Sequence, residues 1–146
     1  MAEGLLPVGS EAPVFVAETT DGERVSLPDF RGRQAVLLMF YPMDDTPGCT
    51  RQMCLARDEG ELYRQAGVAR FGVNPGSLQS HVEFRDRYAL DFPLIVDQDA
   101  EIASAYGVLG ANEVSRATYL IDRDGRIAYA QPGTHGADEV LGALRG

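Results

Sequence analysis

An unbroken apolar run, Ala35 to Tyr41, leads straight into Pro42-Met43-Asp44-Asp45-Thr46-Pro47-Gly48-Cys49. A strand without polar alternation is buried on both faces, so the sheet that holds it needs cover on both sides. A helix start follows. Thr46 is a favoured N-cap residue, and Pro47 is preset for the first helical position. Strand, loop and helix together deliver Cys49 to the third helical position. The chain's other thiol, Cys54, follows on the same predicted helix.

The remaining pattern alternates strands and helices. Val14 to Ala17 and Arg24 to Leu27 read as strands around an Asp21-Gly22 turn, a hairpin signal. The helix from Thr46 is expected to reach about Ala66, with Leu55, Leu62 and Ala66 on one face and Gly67 at its end. Val68 to Val73 is the next strand, and Ser77 to Ala89 a second helix with Leu78/Val82 and Phe84/Tyr88 as neighbouring pairs. Leu94 to Val96 reads as a strand and Ala100 to Tyr106 as a short helix closed by Gly107. Thr118 to Ile121 and Arg126 to Ala130 form a hairpin around Arg123-Asp124-Gly125, and Ala137 to Leu144 a last helix. The pattern implies an α/β domain over residues 1–146: a mixed central sheet with helices on both faces and an N-terminal hairpin.

At 146 residues and 45% hydrophobic, the chain can build one full core. Its net charge of -9 argues against nucleic acid, which requires a concentrated basic face. Met1 to Pro7 has no charged and apolar leader pattern, and Ala35 to Tyr41 is too short to span a membrane. The expected location is cytoplasmic, where a cysteine pair is catalytic or metal-binding more often than a structural staple.

The chemistry of Cys49 follows from its position. Amides in the first turn of a helix lack intrahelical acceptors, and the macrodipole adds partial positive charge there. Both favour thiolate over thiol, and a nearby arginine favours it further. The Thr46 hydroxyl lies within reach, and Gly48 leaves room for a small substrate. Cys54 cannot bond to Cys49 while the helix is intact. Residues five apart on an ideal helix have Cα atoms roughly 8–9 Å apart, and a disulfide tolerates at most about 7 Å. A disulfide between them requires the first turns to unwind.

The residues Pro42, Thr46 and Cys49, at this spacing, resemble the peroxiredoxin active-site signature. Phe40 to Cys54 is similar to the bacterioferritin-comigratory, or PrxQ, branch. Ser10 to Phe15, Arg57-Asp58, Phe92 to Asp97, Tyr106 to Val108 and Arg116 to Asp122 resemble further segments of that branch. The resemblance implies a thioredoxin-like fold and a peroxidase reaction on hydrogen peroxide or organic hydroperoxides. Cys49 would be the peroxidatic thiolate, Thr46 and Arg116 would position and polarise the peroxide, and Pro42 would shield the pocket. Cys54 would resolve the sulfenic acid into an intramolecular disulfide, which a thioredoxin-like dithiol would reduce. No cofactor or metal is implied, and the subgroup is expected to be monomeric. Asn74-Pro75 and Ser115 depart from the branch pattern; Asn74-Pro75 is expected to leave the chemistry unaffected.

Other signals carry less. The two cysteines with His81 and His135 lack zinc-finger spacing. Both histidines are expected to be exposed, and Asp97-Gln98-Asp99 is expected to be a solvated loop rather than a cation site. Arg51 is a second cation near Cys49 and Tyr41 a neighbour of the pocket. Nucleophile elbows, phosphate loops and dinucleotide fingerprints do not occur. Two alternatives stay open: a thioredoxin-type thiol–disulfide oxidoreductase, though that class uses Cys-x-x-Cys, and a redox-sensing module whose cysteine pair alters an interface.

Overall fold

The computed structural model describes residues 4–144. The leader reading of Met1–Pro7 and the outer limits of a 1–146 unit lie partly outside the described residues. Among these, seven strands form one sheet: β1 (Val16–Thr19), β2 (Arg24–Ser26), β3 (Ala35–Phe40), β4 (Val68–Asn74), β5 (Leu94–Val96), β6 (Ala117–Ile121) and β7 (Ile127–Pro132). The order across the sheet is β2-β1-β5-β4-β3-β6-β7. β3, β4 and β5 run parallel, whereas β1, β2, β6 and β7 pair antiparallel with their neighbours. The mixed sheet agrees with the expected α/β class.

The apolar run behaves as its pattern requires. Every residue of β3 is buried, and alternate side chains enter two different cores. Val36, Leu38 and Phe40 join Tyr106, Tyr119 and Ile121 on one face. Leu37, Met39 and Tyr41 join Cys49, Met53, Phe84 and Val140 on the other. Burying side chains of this size stabilises by about 1.5–3 kcal/mol each, so β3 is the strand on which both cores depend.

Among the described residues, five α-helices cover the faces: α1 (Pro47–Asp58), α2 (Gly60–Gln65), α3 (Leu78–Arg87), α4 (Glu101–Ala105) and α5 (Ala137–Gly142). The single helix expected from Thr46 to Ala66 is two. Glu59, with φ -93° and ψ 13°, leaves helical geometry between α1 and α2. Gly60 is buried there, and a Cβ on it would lie 3.0 Å from the Arg70 guanidinium and from Asp91. The bend turns Tyr63 into the core and leaves Leu62 45% exposed, so the expected Leu55, Leu62 and Ala66 face does not form. β1 starts later than expected because it is defined by pairing with β2 and β5, and Val14 lies outside both ladders.

Asp97 departs from the solvated loop expected of it. It is buried, and its carboxylate accepts the Ile102 and Ala103 amides at 2.8 and 2.9 Å, capping the start of α4. Burial raises its pKa despite those bonds. His135 is half-buried, with Nε2 2.7 Å from the Pro132 carbonyl.

Arg70 fastens the α1–α2 bend. Its side chain, 5% exposed, donates to both Asp91 oxygens at 2.8 and 3.1 Å and to the Ala56 carbonyl at 2.9 Å. Burial pulls the Asp91 pKa upward. Hydrogen bonds from Arg70 and Arg64 outweigh this and hold the carboxyl below its ordinary 3.8. A group with a depressed folded pKa stabilises above its unfolded value, and that stability is lost as pH falls through the folded one. Asp91→Asn is expected to cost about 2 kcal/mol at pH 7, a buried-pair loss reduced for partial exposure. In urea unfolding at a series of pH values, its gap from wild type should shrink below pH 3.8; a constant gap would refute the assignment.

Candidate active site

The loop after β3 and the first turn of α1 place the thiol. Thr46 is the N-cap by backbone, with φ -102° and ψ 155°, but its side chain makes no capping bond. The hydroxyl instead donates to the Met43 carbonyl at 3.1 Å, closing the loop on itself. The first helical bond runs from the Thr50 amide to the Thr46 carbonyl at 2.8 Å, so the Gly48 and Cys49 amides lie ahead of the helix's own ladder. Cys49 is 1% exposed, and Cys54 is half-buried; both are free thiols.

Arg116 reaches this turn from the residue preceding β6. Its backbone is held by Ser115 N–H on the Val108 carbonyl and by Gly133 N–H on its own carbonyl, at 2.8 and 2.9 Å. Its Nη1 donates to Gln52 Oε1 at 2.6 Å. Its Nη2 lies where a Cβ on Gly48 would be 2.9 Å away. The guanidinium therefore sits over the residue before Cys49, and only glycine leaves it there. Of the residues that the resemblance implies, Thr46 and Cys49 share the start of α1, and Arg116 meets that turn at Gly48. Pro42, half-buried, opens the same loop. Arg51 is exposed and lies outside this group.

Gln52 was not singled out in the sequence. It is buried, its Nε2 donates to the Phe40 carbonyl at 3.4 Å, and its Oε1 takes the arginine. The signal was present: it lies three residues after Cys49, on the same helical face. His81 is the clear correction. Expected at the surface, it is 0% exposed, because Phe84 and His81 form the inward face of α3. Tyr41, expected beside the pocket, is fully buried and donates to Asp44 at 2.6 Å. Burial, then the charge of Asp44, its hydrogen bond and the charge of Cys49, push the phenol well above its ordinary pKa.

A depression of about 270 Å³ adjoins the arginine, lined by Leu5, Val108, Ser115, Arg116 and Pro132 among others. A larger one, about 580 Å³, lies between β1, β2 and α4 and contains none of these site residues. Chemistry rather than size marks the site. Among the described residues, no cluster of three or more His, Cys, Asp or Glu could hold a metal ion, and no helix is long and apolar enough to cross a membrane.

The sheet is thioredoxin-like, with a buried thiol at a helix start and a guanidinium over the residue before it. The chain belongs to the AhpC/TSA family, whose model matches residues 8–130. It is 38% identical over 135 residues to a putative peroxiredoxin bcp of Coxiella burnetii, covering 87% of this chain and 89% of that protein. It is 40% identical over 134 residues to a putative peroxiredoxin of Mycobacterium tuberculosis, covering 86% and 85%. The crystal structure of a cysteine-to-serine mutant of Xylella fastidiosa PrxQ superposes with a TM-score of 0.87 at 25% identity, covering 96% of each chain. The structure of the Mycobacterium tuberculosis peroxidoxin BcpB does so at 0.87 and 26%, covering 96% of this chain and 97% of that one. The chain is an enzyme of the peroxiredoxin class, a thiol-dependent peroxidase.

The geometry gives a structural test. Gly48→Ala should displace the Arg116 guanidinium, which is the far end of a flexible side chain, while stability changes by less than about 1 kcal/mol, because alanine's better helix propensity offsets the displaced contact. Gln52→Leu should free the same guanidinium and cost about 1.5–3 kcal/mol, as for a hydrogen bond to a charged group. Crystal structures and melting curves of the two variants check this; an unmoved Arg116 in both would refute the account.

Proposed function

We propose that Cys49 is the peroxidatic residue, acting as a thiolate on hydrogen peroxide or an organic hydroperoxide. The supporting observation is the Arg116 guanidinium seated over Gly48, one residue ahead of a buried cysteine at the start of α1. The thiolate attacks one peroxide oxygen and the O–O bond breaks. The leaving oxygen departs as hydroxide or alkoxide and takes up a proton. Arg116 and the first-turn amides stabilise charge on that oxygen, Thr46 orients the peroxide, and Pro42 screens the pocket from water. No histidine base is needed.

The product is a sulfenic acid on Cys49. Cys54 then attacks it, water leaves, and a disulfide forms once the first turns of α1 unwind. A thioredoxin-type dithiol reduces that disulfide by exchange. Further oxidation of Cys49 competes when unwinding is slow. The chain acts as one unit over residues 1–146 and as a monomer, and its two free thiols suit a reducing compartment such as the cytoplasm.

Cys49→Ser should abolish peroxide-dependent NADPH oxidation coupled through thioredoxin and thioredoxin reductase; full turnover would refute the assignment. Cys54→Ser should still form a sulfenic acid, captured by a dione reagent, but lose thioredoxin-linked turnover. Arg116→Met should lower the peroxide step about a hundredfold or more, as for loss of a charge-stabilising donor.

A further inference from the structure

Next to the cysteine loop lies a buried polar network that the peroxide chemistry above does not use. The side chain of Asp44 is 7% exposed. Its Oδ1 accepts the Tyr41 hydroxyl at 2.6 Å, and its Oδ2 accepts the Ser80 hydroxyl at 2.7 Å. The same Oδ2 lies 2.6 Å from Nδ1 of His81. The opposite ring nitrogen, Nε2, lies 2.9 Å from the Asn74 carbonyl oxygen. Both ring partners are acceptors, so satisfying both contacts takes a proton on each side of the ring. Asn74 completes the set. Its Nδ2 donates to the Tyr41 carbonyl and its Oδ1 accepts the Gly76 amide, each at 2.7 Å. Gly76 closes the space, because a Cβ there would lie 2.9 Å from Asn74 Oδ1 and 3.2 Å from the His81 ring.

Removing a carboxylate and an imidazole from water is costly, and well-packed apolar residues of similar volume serve stability as well or better. What this network adds is position. It joins the end of β3, the end of β4 and the first turns of α3 to one side chain of the loop. On one side of Asp44, the Met43 carbonyl accepts the Thr46 hydroxyl at 3.1 Å. On the other, Asp45 has φ 58°, a left-handed conformation that most residues with a side chain avoid and aspartate tolerates. Its side chain is held: Asp45 accepts the Tyr88 hydroxyl and an Arg87 nitrogen, both at 2.7 Å.

We propose that Asp44, held by His81, is a positioning residue for the peroxide step, setting Thr46 and the first turn of α1 in register with Arg116. The inference rests on Cys49 being the peroxidatic residue. It does not extend to the reductive step, because the disulfide forms only from an unwound first turn, whose geometry the network no longer sets.

Asp44→Asn and His81→Gln test it, with Ser80→Ala as a milder change that removes one hydrogen bond. The second-order rate constant for peroxide oxidation of Cys49 should fall about tenfold or more in the first two, as for a small misplacement of a reacting group. It should fall by a smaller factor in Ser80→Ala. kcat/KM for thioredoxin and the rate of Cys49 alkylation by iodoacetamide should stay within about twofold of wild type, since neither reads peroxide orientation. Wild type should also show a downfield ring-proton resonance from the Nδ1···Oδ2 contact that is absent in His81→Gln. Peroxide rates within about twofold of wild type in all three variants would overturn the proposal. So would equal losses in peroxide reduction and alkylation, which signal loss of fold. If Asp44→Asn and His81→Gln do not fold, Ser80→Ala decides by the same measures. Absence of peroxide reduction by the unmodified protein would overturn the function itself, and this inference with it.

Discussion

The carboxamide of Gln52 is the joint between scaffold and chemistry. One end donates to the Phe40 carbonyl at the close of the central strand, and the other accepts from Arg116. An arginine carries several rotatable bonds and considerable rotamer entropy, so left alone it samples many positions. The amide, rigidly carried on α1, removes that freedom and sets the guanidinium against the same helix that carries the thiol. Cation, helix start and sulfur therefore move as one body with β3. For the proposed role of Arg116, this is the preorganisation that electrostatic catalysis requires, because the charges are oriented before the substrate arrives.

Much of this was legible in the sequence. The uninterrupted apolar run reads as a strand buried on both faces, and the Thr46-Pro47 pair as a helix start. Those two readings alone put Cys49 at the third helical position. Arg116 came from the resemblance, since nothing local tells an arginine before one strand that it will meet a distant helix. Gln52 was missed because a glutamine on a helix reads as surface. Its partners, the Phe40 carbonyl at the end of β3 and Arg116 just before β6, are distant in the chain.

The larger errors have one source. His81 and Asp97 are polar residues in polar neighbourhoods, and composition marks them as solvated. Each is buried because tertiary structure supplies acceptors or donors that the local sequence does not contain: Asp44 and the Asn74 carbonyl for one, the amides of α4 for the other. The split of the long helix at Glu59 has the same origin. Helical propensity continues through it, but the guanidinium of Arg70, which packs against Gly60 and bonds the Ala56 carbonyl at the bend, comes from a distant strand. Asn74, a departure from the branch pattern, donates its amide to the Tyr41 carbonyl and accepts the Gly76 amide of its own turn.

That split bears on how the cysteine helix comes apart. In a single rod, a turn melted at one end weakens its neighbours in sequence, since each hydrogen bond helps to hold the next. Here the rod is jointed at Glu59, and α2 is pinned beyond the joint by its own core tyrosine, Tyr63. A fracture that begins at the sulfur therefore has a natural stopping place. In the proposed cycle, the segment that must open is short and the bulkhead behind it stays seated, so the helix would close again from an intact base after every turnover.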